Sequence, residues 1–121
     1  MWSAYLAYLY EQLAKCQKLQ GDIASVINTL GSAINTYEDM SSSLKENYVI
    51  EGEETTTNKR VVKNKEAIQK IKSHLAGPTS GKVSARIGWL QSEIAKELAR
   101  LAAEAAARAA ATASTSNGGD K

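Results

Sequence analysis

The chain has no phenylalanine, one proline, one cysteine and one histidine among its 121 residues. Each shortage removes a class of protein. Cys16 has no second cysteine to pair with, so the fold does not rest on a disulfide or an oxidising compartment. With His74 and Cys16 as the only residues of their types, no zinc-ligand cluster can be assembled, and no metal site is expected. No apolar run approaches the ~20 residues that cross a bilayer. A classical signal peptide is not expected: the stretch after Met1-Trp2-Ser3 lacks a basic start and is interrupted by Glu11 and Gln12. Leu13-Ala14-Lys15-Cys16 fails as a lipid-attachment box because a lysine precedes the cysteine. The expected location at synthesis is therefore the cytoplasm, with any export following a dedicated route. Fifteen basic residues against thirteen acidic ones leave an excess of two, which is no electrostatic footprint for nucleic acid. The densest basic cluster, Lys59, Arg60, Lys63 and Lys65, is hemmed in by Glu51, Glu53, Glu54 and Glu66.

What remains is rich in Ala, Leu, Glu, Lys and Gln, the residues that lose least on entering a helix. The first half carries the strongest pattern. Trp2, Leu9, Cys16, Ile23, Leu30, Tyr37 and Leu44 recur every seven residues. Three residues on comes a second row, Tyr5, Leu19, Val26, Ala33 and Met40, with Gln12 as its polar member. Leu6, Leu13, Ile27 and Ile34 form a third row at four residues on. This a, d and e stripe predicts one amphipathic helix from about residue 2 to 45, running through Gly21 and Gly31.

Residues 47–58 interrupt the pattern with β-branched and threonine-rich sequence and read as a reversal loop, with Tyr48-Val49-Ile50 as a short extended piece. Periodicity resumes with Val61, Ile68, Ile71 and Leu75, after Asn58 as a cap. Gly77-Pro78-Thr79-Ser80-Gly81 should break or kink the second helix. Val83, Ile87, Leu90, Ile94, Leu98 and Leu101 then continue at threes and fours, and the bulky residues give way to alanines from Ala102. The expected architecture is all-α: a long antiparallel two-helix hairpin over 1–111, with helices at about 2–45, 59–76 and 82–111 and a disordered tail at 112–121.

Candidates for chemistry are few, and the expectation is a non-enzyme without a cofactor. His74 falls in a last helical turn, where a partly charged imidazole suits the helix C-terminus, and no orienting partner accompanies it. Cys16 lies on the heptad stripe and reads as a small buried hydrophobe. Gly77, Gly81 and Gly88 form no phosphate-cradling pattern, and the acidic run at 51–54 lacks the alternating spacing of a calcium loop.

Binding is better represented. Trp2, Tyr5, Tyr8 and Tyr10 crowd the first two turns, and Tyr8 and Tyr10 fall on opposite flanks of the Leu6/Leu9 stripe. One facing helix cannot cover both flanks, which points to a further helix from a partner. Small residues of the alanine-rich arm, Ala103 and Ala106, and the lone aromatic Trp89 complete the candidate partner surface. The competing expectation is self-assembly, with the stripe building a homodimeric four-helix bundle or a filament subunit.

With its long N-terminal helix, its Leu44-Lys45-Glu46-Asn47-Tyr48-Val49-Ile50 transition and its alanine-rich second arm, the chain resembles the small helical-hairpin proteins of bacterial type VII secretion. It is most similar to the partner proteins of LXG-type polymorphic toxins. The Trp-x-Gly turn of the WXG hairpins is absent, Gly88-Trp89 having the pair reversed within a helical arm. So is a Tyr-x-x-x-Asp/Glu export signal: Tyr37 is followed by Ser41 and Tyr48 by Gly52. The resemblance implies an adaptor or chaperone that packs on the helical N-terminal domain of a toxin, alone or with a second small helical protein, while the partner supplies the signal.

Overall fold

The computed structural model describes the backbone of residues 2–47 and 51–119, and the side chains of 2–46 and 57–113. Helix α1 spans Ala4–Asn47, 44 residues and about 66 Å of continuous helix. Ser3 starts it: the Leu6 N–H donates to Ser3 Oγ at 3.0 Å, which satisfies a donor that a helix N-terminus leaves orphaned, and the Ala7 N–H makes the first helical bond to the Ser3 carbonyl at 3.0 Å. The second arm is α2 (Glu51–His74), a π-helical turn (Leu75–Thr79) and α3 (Ser80–Gly119), joined end to end. No strand occurs among the described residues, and the fold is the expected all-α helical hairpin.

Two expected boundaries move. The reversal loop at 47–58 is shorter than expected, because α2 already begins at Glu51 and includes Thr55–Thr57 in helical backbone. Each threonine costs only about 0.5 kcal/mol in a helix, and propagation from the stronger segment behind it outweighs three of them. The extended piece expected at Tyr48-Val49-Ile50 lies outside the described residues. The tail expected from 112 is helical to Gly119, again carried on by the alanine run before it. The Gly-Pro segment kinks the arm without breaking it.

The kink has a structural logic. Along the second arm the seam of buried and half-buried positions runs through 58, 61, 65, 68, 72, 75 and 79, then 83, 87, 90, 94, 97 and 101, with the half-buried Ser80 and Glu93 beside it. Spacings alternate between three and four everywhere except across 79 to 87, where one residue too many is present. A π-turn absorbs one extra residue while keeping hydrogen bonding within the helix. Here the Ser80 N–H reaches back five residues to the Leu75 carbonyl, which also accepts from Ser80 Oγ at 2.7 Å. Without the insertion, the inward positions of α3 would fall to Lys82, Arg86, Trp89, Glu93, Lys96 and Arg100. With it they fall to Val83, Ile87, Leu90, Ile94, Glu97 and Leu101, five of which are aliphatic.

The chain divides into two compact units, Met1–Lys18 with Ala85–Lys121, and Leu19–Ser84. In the first, Leu6, Leu9 and Leu90 are almost wholly buried and pack with Ile94 and Leu101, with Leu13 and Cys16 half-buried against them. Cys16, expected as a small buried hydrophobe, is only half-buried. In the second, Ile23, Ile34, Val61 and Val83 are buried. Ser41 Oγ donates to Asn58 Oδ1 at 2.6 Å, and Lys65 Nζ meets Glu38 Oε1 at 3.2 Å. In both units the partners ascend along α1 as they descend along the second arm, so the packing is antiparallel.

The three-row stripe of α1 is only two-thirds used. From Leu6 to Leu44 the first and third rows are buried or half-buried, but in the second row Tyr5, Leu19, Val26 and Met40 are 44–48% exposed. Three residues on is about −60° around a helix and four on is about +40°, so these rows flank the first on opposite sides. A single facing helix covers one flank and leaves the other open.

Candidate partner-binding surface

The first unit contains every residue expected to meet a partner. Its apolar floor is the Leu6, Leu9 and Leu90 cluster. Above that floor, Trp2, Tyr5, Tyr8, Tyr10 and Trp89 are between 41% and 66% exposed. These rings are not loose. Trp2 and Tyr10 stack with centroids 6.3 Å apart and planes 4° from parallel, while Tyr5 and Tyr8 stack at 6.4 Å and 18°. The Tyr5–Tyr8 spacing follows from the helix, since residues three apart share a face. Trp89 stands one residue off the buried seam, with the Arg86 guanidinium 4.3 Å from its ring centre. It forms its own aromatic–cation pair and joins neither stack.

A polar network anchors the rim. Glu97 occupies an inward seam position and is 5% exposed. Its carboxylate accepts from Ser3 Oγ at 2.6 Å and from Arg100 through Nε at 2.6 Å and Nη2 at 2.9 Å. Arg100 Nη1 continues to Glu104 at 2.7 Å, and Arg108 lies 3.8 Å beyond. The Arg100 hydrogen bonds, helped by Ser3 and opposed by burial, hold the Glu97 carboxyl down to about 2. The same pairing raises the Arg100 guanidinium above its ordinary value. Ser3 therefore both caps α1 and ties it to α3. Tyr5 Oη donates to Glu93 Oε2 at 3.3 Å, and partial burial, followed by that carboxylate, raises its pKa.

Trp2 and Ser3 line a shallow groove with Arg100, Leu101, Glu104, Ala105 and Arg108. The aromatic start of α1 thus meets the beginning of the alanine-rich stretch. The alanine in that groove is Ala105, whereas Ala103 and Ala106 are exposed. Sequence reasoning missed Ser3, Glu97 and Arg100. A signal was present, because a glutamate at a seam position needs a buried partner, and an arginine three residues on is placed to supply it.

Among the described side chains, every buried polar atom has a hydrogen-bond partner, and no group of three His, Cys, Asp or Glu is placed to hold a metal ion. His74 is exposed in the last turn of α2. Among the described residues no helix is long and apolar enough to cross a membrane. No protein-family model, curated protein or solved structure matches the chain.

Proposed function

We propose that the chain is a non-catalytic adaptor, a targeting partner or chaperone that packs a helix of another protein on the aromatic face of its first unit. The observation that supports this reading most directly is exposure. Among the described residues eleven large apolar side chains are exposed against ten that are buried, and five of the eleven are aromatics of this one unit. Tyrosine and tryptophan provide contact area at low entropic cost, and rings already stacked lose still less on binding. Carried over from the resemblance, the partner is the helical N-terminal domain of an LXG-type toxin, and the setting is type VII export.

Co-expression of the full chain with the neighbouring open reading frame, followed by size-exclusion chromatography, tests the proposal. The expected result is a defined heterocomplex that Tyr8→Ser together with Tyr10→Ser weakens while leaving helicity unchanged. A chain that never co-elutes, or a complex indifferent to both substitutions, would count against it.

A further inference from the structure

The second unit carries a pattern that the aromatic surface does not use. From Ile23 to Tyr37 α1 contains no Asp, Glu, Lys or Arg, although most of these fifteen residues are exposed or half-exposed. A solvated helix ordinarily carries charge on its outer face, and it is interface cores that lack it. Within this segment a heptad nearly repeats, Ser25-Val26-Ile27-Asn28-Thr29-Leu30 and Ser32-Ala33-Ile34-Asn35-Thr36-Tyr37. Thr29 and Thr36 donate their hydroxyls to the Ser25 and Ser32 carbonyls at 3.1 and 3.2 Å, so each is satisfied within its own helix. Alongside runs the open row of Leu19, Val26, Ala33 and Met40, whose three large members are 45–48% exposed.

We propose that this flank is a homodimer interface, on which α1 of a second copy lies antiparallel with the two-fold axis between Thr29 and Leu30. A dyad between two facing antiparallel helices returns each row onto itself in reverse. Val26 then faces Ala33 of the second copy, and Leu19 faces Met40. Large against small at the centre lets the helices approach closely. A parallel pairing would set Ala33 against Ala33 and leave a void, which is the reason for choosing the antiparallel one. The exposed area leaves room for a second copy. The chain exposes 8551 Å², whereas a folded monomer of 13.0 kDa is expected to expose roughly 6,300 Å². The surplus of roughly 2,200 Å² exceeds the ~800 Å² per partner of a standard interface, so a dimer contact here leaves surface for another protein.

The test uses the full chain alone, so its failure is separate from failure to capture a toxin. Light scattering across a concentration series should show a dimer, and Val26→Glu should weaken it roughly tenfold or more with helicity unchanged. In a Cys16→Ala background, Thr29→Cys chains should cross-link with one another. Val26→Cys chains mixed with Ala33→Cys chains should cross-link better than Val26→Cys chains alone. A chain that stays monomeric, a dimer that ignores Val26→Glu, or Val26→Cys chains that cross-link best with themselves would each overturn the proposal.

Discussion

If the π-turn exists to absorb one surplus residue, deleting one residue inside it should be tolerated, and deleting one after it should not. Removing Pro78 turns Leu75–Thr79 into an ordinary helical turn and leaves Val83, Ile87, Leu90, Ile94 and Leu101 facing inward. The gain is bounded by the ~3 kcal/mol that proline costs in a helix interior. Losing the Ser80 Oγ hydrogen bond to Leu75 takes back about 1 kcal/mol. Freeing the unfolded chain of a proline takes back up to about another 1 kcal/mol. The net is a stabilisation of at most about 1 kcal/mol.

Removing Ala85 instead rotates everything after it by about 100°. The positions of Ile87, Leu90, Ile94 and Leu101 would then be taken by Gly88, Gln91, Ala95 and Ala102. Four lost aliphatics at about 1.5–3 kcal/mol each would exhaust a typical domain's stability. The least costly escape is to regularise the π-turn, which restores the phase from residue 86 onward. That exchanges Val83 for Lys82 at about 1.5–3 kcal/mol and adds whatever part of proline's ~3 kcal/mol cost the π-turn relieves. At least about 1.5 kcal/mol is therefore lost by either route. Urea unfolding followed by far-UV circular dichroism separates the two deletions. A Pro78 deletion that destabilises as much as the Ala85 deletion would refute this account of the helix phase.

Other consequences follow from single side chains. Leu90→Ala removes an almost wholly buried side chain from the first unit and should cost about 2–5 kcal/mol in the same assay. Gly21→Ala should stabilise by about 0.5–1 kcal/mol, because its Cβ would meet nothing within 4 Å in a helix interior. Glu97 is ionised down to about pH 2 in the folded chain, against an ordinary value of 4.5. Its contribution is complete above about pH 4.5 and is lost as the pH falls towards 2, so Glu97→Gln should flatten the acid limb of a stability–pH curve. An acid limb unchanged by that substitution would show that the Ser3–Glu97–Arg100 network is not linked to folding.

Much of this architecture is legible because helix periodicity and packing share one cause. Rows at sevens predict α1 and its continuity through Gly21, since the stripe outweighs a glycine's cost. The π-turn is half-legible. Leu75 to Val83 is eight residues where the heptad asks for seven, and Gly77-Pro78 marks the place. Proline's missing N–H reads as a break only until a wider turn, closed by Ser80, is seen to keep the helix bonded. Glu97 is readable as an anomaly on a buried seam, but its partner Ser3 is ninety-four positions away and becomes a neighbour only through the fold.

What no periodicity can state is how many helices surround a stripe. Three apolar rows on α1 are equally consistent with one broad partner or two narrow ones. The hairpin's own second arm covers the first and third rows, and Tyr5, Leu19, Val26 and Met40 stay open. A strict coiled-coil seam needs two rows, so a third row maintained over five heptads is more than the chain needs for itself. In the first unit the open flank begins with stacked aromatics, and in the second it is aliphatic and, from Ile23 to Tyr37, free of charge. Two chemistries along one row argue for two different neighbours, an aromatic-seeking helix at one and a like helix at the other. The division requires that Tyr8→Ser weaken the heterocomplex and spare the homodimer, and that Val26→Glu do the reverse.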